Sequence, residues 1–325
     1  MTAMRRRTFL AAGPALLAAP AIAQPEWPSR GVTVIVPFAP GSSSDIIGRA
    51  MAQQMQQALG RTVVVENRPG ATGEVGTRQL IRSAPDGYTL MHAPLSVFAI
   101  NVALRPNLGY DPLTQLTRVT QTVRTPNVLV VNPAVLPATD LPGVVAWLRA
   151  NARAASYSTS GAGSSDHLTM EMFRQATGTD ITHIPFQGGA PAVTALLQGS
   201  VQLSFQNLGS IMPHIAEGRV RPILITSEAR SPLLPDVPTA GEAGLADFVV
   251  YSWQGFAGPP GMAPELLARV HGAAVAALRA PPVATRLGEL GFEVVASTPA
   301  QFAAFQQGEI ERWRRVVRAG NITAD

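Results

Sequence analysis

Three short loops rich in Gly and Ser hold the residues best suited to chemistry: Pro40-Gly41-Ser42-Ser43-Ser44, Ser160-Gly161-Ala162-Gly163-Ser164 and Gln187-Gly188-Gly189-Ala190. Glycine lets backbone approach a bound molecule closely, and hydroxyls add donors. Each loop leads into an amphipathic stretch, whose first N–H groups have no intrahelical acceptor and favour an anion. No Arg lies in any of the three. An anion held there is bound by amides, hydroxyls and water, not by a guanidinium fork. Any one loop alone reads as a turn with a Ser N-cap; three of them, from two parts of the chain, point to a shared site.

Other arrangements carry less. Gly163-Ser164-Ser165-Asp166-His167 contains the residue types of a hydrolase triad, but not the G-x-S-x-G spacing, and adjacent residues at a helix start project in different directions. Gly70, Gly73 and Gly76 follow a strand-like run, yet Pro69 occupies the tight turn and the spacing is not that of a dinucleotide fingerprint. His92, His183, His214 and His271 lack close metal-ligand spacing, so no metal is expected. Asp45 falls in the first turn of a helix, where a carboxylate gains about 0.3–1 kcal/mol from the dipole. Loop bracing there competes with ligand contact. His167, just inside the helix after Ser164, is expected to brace its loop.

The elements that position these loops follow one pattern. Val32–Val36 leads through the first loop into a stretch with Ile47, Met51, Met55 and Leu59 on one face. Thr62–Val65 leads through Asn67-Arg68-Pro69-Gly70 to Val75 and Leu80, and Tyr88–Met91 reaches Ser96. A second series starts at Asn127–Val131, then a helix over Leu141–Ala150, Ala155–Thr159 before the second loop, Ile181–Phe186 before the third, and Val201–Phe205 before Gln206-Asn207. This alternation predicts an α/β fold with a mostly parallel sheet in two domains of similar build. The first domain is expected at 24–126 plus 251–325, the second at 127–250. Crossings near Thr125-Pro126 and Tyr251-Ser252 would join them. The last helix, capped by Ser297 or Thr298, is expected to pack back on the first domain.

Composition narrows the function. Arg5-Arg6-Arg7-Thr8-Phe9-Leu10, followed by small apolar residues to Ala21-Ile22-Ala23, has the layout of a cleaved twin-arginine export signal over 1–23. Its apolar part is shorter than the ~20 residues that span a bilayer. Three of the 25 basic residues go with it, leaving 22 Arg against 21 acids, a charge of +1. Nucleic acid is therefore not expected as a partner. With no Lys and no Cys, Schiff-base chemistry, Cys nucleophiles and disulfides are absent.

Further motifs accompany these: Pro37-Phe38-Ala39-Pro40-Gly41 with Asp45, Val64–Ala71 with Gly73 and Gly76, Pro85–Leu90, Tyr110-Asp111-Pro112, Ser160–Ser164 with His167-Leu168, Leu234–Thr239 with Glu242-Ala243-Gly244, and Trp253 with Pro259. Together, over essentially the whole mature chain, they resemble the Bug proteins, periplasmic solute receptors of tripartite tricarboxylate transporters. The resemblance implies a type II-like periplasmic-binding clamshell with a central cleft, a small organic acid as ligand, membrane transporter components as partners, a monomer, and neither catalysis nor cofactor. Carried over, it selects Phe38, Ala39, Gly41, Ser42 and Ser43 on one wall, with Asp45 secondary. Around the rest of the cleft it selects Ser96, Ser160, Gly161, Gly163, Ser164, Gln187, Gly188, Gly189, Gln206 and Asn207. Ser42 stands where a second Gly is usual, and Phe186-Gln187 where Tyr-Lys is usual, so a tricarboxylate is not implied. A secreted serine hydrolase and a sensor for a membrane signalling protein are the alternative readings.

Overall fold

The computed structural model describes residues 27–323; the expected export signal lies outside the described residues. β1 (Val32–Val36) is β-branched and buried almost throughout, as a strand covered on both faces requires. It leads into α1 (Ser43–Leu59), capped by Ser42 Oγ, which accepts from the Asp45 N–H at 3.3 Å, and ended by left-handed Gly60. β2 (Val63–Asn67), α2 (Glu74–Ile81) and β3 (Thr89–Pro94) follow. A π-type turn over Ser96–Ile100 then runs into α3 (Asn101–Leu104).

β4 (Thr117–Val131) leads to a second unit: α4 (Leu141–Ala150), β5 (Ser156–Thr159), α5 (Ser165–Thr177), β6 (Thr182–Pro185), α6 (Gly189–Leu197), β7 (Leu203–Asn207), α7 (Leu208–Ala216) and β8 (Arg221–Ile225). β9 (Tyr251–Gly258) returns to the first unit, followed by α8 (Pro264–Arg279), α9 (Pro281–Glu289), β10 (Glu293–Val294) and α10 (Pro299–Gly320). The strands are ordered β2-β1-β3-β9-β4-β7-β5-β6, with β8 and β10 also paired to β4.

Strand direction places the loops. β1, β2 and β3 are mutually parallel, β9 is antiparallel to β3, and β4 is antiparallel to β9, so β4 runs with β1. β7 is antiparallel to β4 and parallel to β5, which is parallel to β6. The carboxyl ends of β1 and β3 therefore point toward the second unit, and those of β5, β6 and β7 point back at the first. β4 changes partners between Pro126, opposite Tyr251 of β9, and Asn127, opposite Asn207 of β7.

Two expectations need correction. The sheet is mixed, not mostly parallel: β1–β2, β1–β3, β5–β6 and β5–β7 pair parallel, but β3–β9 and every pairing of β4 are antiparallel, because the chain crosses out on β4 and returns on β9. β4 also begins at Thr117, not Asn127, because its first half is rich in Thr, Gln and Arg, which hides a buried strand from any apolar pattern. α10 begins with a Thr298–Gln301 capping box. It packs on the first unit but also on α5, where Gln175 Nε2 donates to Val316 O at 3.2 Å. One apolar core accordingly runs from Ile35 and Phe98 through Trp253 and Trp313 to Phe173 and Phe205.

Candidate functional site

The loop after β1 is held by its own carboxylate. Asp45 Oδ2 accepts from the Gly41 N–H at 2.9 Å and from Arg49 Nε at 3.0 Å, and Asp45 Oδ1 accepts from Asn67 Nδ2 at 2.9 Å. Asn67 Nδ2 also donates to Phe38 O at 3.0 Å, tying the end of β2 to the loop. Burial alone would raise the Asp45 pKa; the bonds from Arg49, Gly41 and Asn67 outweigh it and hold the carboxyl below its ordinary value. His92 on β3 completes the brace from beneath: its Nδ1–H donates to Ser44 O at 3.1 Å, and its Nε2 accepts from Thr122 Oγ1 at 3.0 Å. Burial pushes this imidazole down to about 4.

Phe38 is half-buried, and Gly73 lies so close that a Cβ there would meet its ring at 3.2 Å. Ala39 O accepts from the Ser42 N–H at 3.2 Å. Ser43 is exposed at the helix start, and its Oγ accepts from Gln254 Nε2 of β9 at 3.1 Å. Ser96 is buried at the head of the π-type turn.

The loop after β5 is built on a different carboxylate. Asp166 accepts from the Ser160 N–H at 2.6 Å and from Ser160 Oγ at 2.8 Å. It is fully buried with no Arg among its hydrogen-bond partners, so burial raises its pKa against the pull of those bonds. Ser164 caps α5 and donates from Oγ to Gly161 O at 2.5 Å. The Gly163 N–H donates to His167 Nδ1 at 3.1 Å. His167 stacks on His183 with ring centroids 4.0 Å apart, and burial, then His183, lower it to about 4. Its bracing role is the one expected. The Ser164 hydroxyl, the His167 ring and the Asp166 carboxylate all brace this loop, and His167 Nδ1 accepts from the Gly163 N–H and not from a serine hydroxyl.

The third loop joins the second, with the Gly188 N–H donating to Ser160 O at 3.2 Å. Gln187 is exposed between β6 and α6, and a Cβ on Gly189 would lie 4.0 Å from Gln206 Oε1. Gln206 and Asn207 are neighbours on β7 and face opposite sides of the sheet. Gln206 turns to the α6 side and donates to Ser204 Oγ at 2.8 Å. Asn207 turns to the side of Asn127, its register partner. The first and second walls meet directly: a Cβ on Gly163 would sit 2.5 Å from Leu104 Cδ1 and 3.7 Å from Ile100 Cγ2.

Of the next four contributors, only Asn207 was singled out for the site by the sequence. Thr125, Asn127, Asn207 and Gln254 each carry a buried side-chain oxygen without a partner among the described residues. Their register puts all four on one face of the strand crossing, between the starts of α1 and α5. Thr169 Oγ1 donates to Ser165 O at 2.6 Å, so it can only accept from Asn127 Nδ2 at 3.1 Å, which fixes Asn127 Oδ1 as an open acceptor. Among the described residues the N–H groups of Ser43, Ser44, Ser165, Gly189 and Ala190 also find no acceptor. The starts of α1, α5 and α6 thus carry open amides, each following a strand whose carboxyl end points toward the other unit, an arrangement suited to an anion. Of the missed residues, only Asn67 had a local signal, its place before Arg68-Pro69-Gly70.

Comparison with known proteins agrees. Protein BugT of Bordetella pertussis is 36% identical over 303 residues, covering 93% of this chain and 92% of that one. An R. palustris protein solved with adipate superposes with a TM-score of 0.83 at 32% identity, covering 92% of this chain and 99% of that one. MatC from Rhodopseudomonas palustris, solved with bound malate, gives 0.79 at 33% identity over 90% of this chain and 100% of that one. The fold is thus the two-domain architecture of periplasmic binding proteins. Residues 47–322 match the family described as tripartite tricarboxylate transporter family receptor. With that match and these relatives, the chain belongs to the tripartite tricarboxylate transporter receptors, a family of solute-binding proteins and not of enzymes.

Proposed function

We propose that this receptor works in the periplasm after export, closes its two units on a small carboxylate, and delivers it to the membrane components of a tripartite-type transporter. The observation that carries the reading is the set of open amide donors at the starts of α1, α5 and α6, each after a strand that runs toward the other unit. Positive helix ends and oriented N–H groups recognise a carboxylate without a protein cation. The site takes in Phe38, Ala39, Ser42 and Ser43 on one wall and Ser160, Gly161, Gly163, Ser164, Gln187, Gly188 and Gly189 on the other. Gly41 and Asp45 are spent on each other and act by shaping the loop. The adipate and malate held by the two R. palustris proteins support the ligand class.

The hinge in this reading is the strand crossing at Pro126–Asn127 and Tyr251, between units 24–126 with 251–325 and 127–250.

Thermal shift of mature residues 24–325 against mono-, di- and tricarboxylates, amino acids and neutral amides tests the proposal. A ligand at 100 times its Kd adds about 2.7 kcal/mol. A shift confined to carboxylates is expected; response to amides alone would overturn it.

A further inference from the structure

The binding loops contain no cation, yet the fold brings one to their rim. After β2 the chain passes through four consecutive residues in the left-handed region: Gly70 at φ 137°, Ala71 at 47°, Thr72 at 53° and Gly73 at 92°. For β-branched Thr72 this is a strained conformation, of the kind that persists only where its surroundings enforce it. Two side chains from the segment after β3 enforce it here. Asn101 Nδ2 donates to Thr72 O at 3.1 Å, and the Arg105 guanidinium donates to Thr72 Oγ1 at 2.9 Å.

Arg105 is half-buried, and its guanidinium has no ion pair among the described residues. Glu74, just past the arch, is paired instead with Arg78 at 2.9 Å. Arg49, the other cation near the first loop, is neutralised by Asp45 at 2.9 Å. Three contacts locate Arg105. It is held by the arch, the arch packs through Gly73 on Phe38 of the first wall, and the preceding Leu104 abuts Gly163 of the second wall. A half-buried guanidinium without a counter-charge, where both walls meet, is an anion subsite in waiting.

We propose that Arg105, set on Thr72 Oγ1, takes the second carboxylate of a dicarboxylate ligand whose first carboxylate lies on the helix-start amides. This deepens the carboxylate reading above and rests on it. It assigns Arg105 a specificity role: discriminating acids with two carboxylates from those with one.

The test compares matched acids of equal chain length, adipate with hexanoate and succinate with butyrate, by calorimetry on the mature wild-type protein and on Arg105→Gln, Arg105→Lys and Thr72→Val. Arg105→Gln should weaken dicarboxylates about 10- to 100-fold and leave monocarboxylates within about 2-fold, with Arg105→Lys between. Thr72→Val, which frees the guanidinium from its anchor, should cost dicarboxylates about 3- to 10-fold. Equal losses for both classes in Arg105→Gln, or no loss for either, would overturn the assignment while leaving the carboxylate site standing. Failure of wild type to bind any acid would instead remove the carboxylate reading, and this subsite with it.

Discussion

The two walls of the cleft solve the same problem with opposite electrostatics. On the first, a carboxylate tied to Arg49 and Asn67 holds Gly41, and a buried histidine, His92, donates a hydrogen bond up to Ser44 O. On the second, a carboxylate without a cation holds Ser160, and a buried histidine, His167, accepts one from the Gly163 N–H. The two rings are thus opposite tautomers. A protonated His92 still has an Nδ1–H to give Ser44 O, whereas a protonated His167 sets N–H against N–H at Gly163. Acid thus spares the first wall's hydrogen bond and breaks the second wall's, although charging either buried ring costs folding free energy.

Steric substitution probes this contrast most strongly. Gly163→Val meets Leu104 across the junction at a φ of 74°, so it should block close approach of the walls and weaken binding at least about 100-fold. Gly188→Val, at a φ of 110° with nothing within 4 Å of its Cβ, should cost about 1–3 kcal/mol of backbone strain and affect binding less. Calorimetry on both variants decides; retained affinity in Gly163→Val would remove the second loop from the site.

Acid is the next probe. For His92 and His167 the folded pKa of about 4 lies below the ordinary 6.5, so their contribution is complete above pH 6.5 and is lost as pH falls toward 4. Each is worth up to about 3 kcal/mol. Asp166, raised by burial, works in the opposite sense and is most favourable below its unfolded value. The melting temperature should therefore fall between pH 6.5 and 4, and His167→Gln should flatten part of that fall. An unchanged profile in that variant would show that the second wall does not sense acid.

Carboxylate substitution gives the smallest effect and sharpens the comparison most directly. Asp45→Asn breaks a charge-assisted network and should cost about 1–3 kcal/mol in urea unfolding at pH 7. Asp166→Asn removes a charge that burial already disfavours, so it should cost less than about 1 kcal/mol. A larger loss for Asp166→Asn would reverse the assignment of the two braces.

Much of this molecule was readable beforehand because its signals are local. β-branched runs, Ser and Thr caps and glycine loops act within a few residues, and they placed β1, α1, α4 and the three loops. What failed was non-local. The polar half of β4 is a strand only because β9 pairs with it over most of its length. Gln254 reaches Ser43 across 211 positions of chain.

The sequence by itself determined the repeating strand-loop-helix units, the anion-ready amides at their helix starts and the family, since all of these follow from neighbouring residues. The tertiary structure alone decided which loops face each other, which histidine nitrogen is spent, and that Arg105 comes to rest on Thr72 at a rim whose own loops hold no cation. Those outcomes depend on strand direction and on contacts between distant segments, and no local pattern encodes either.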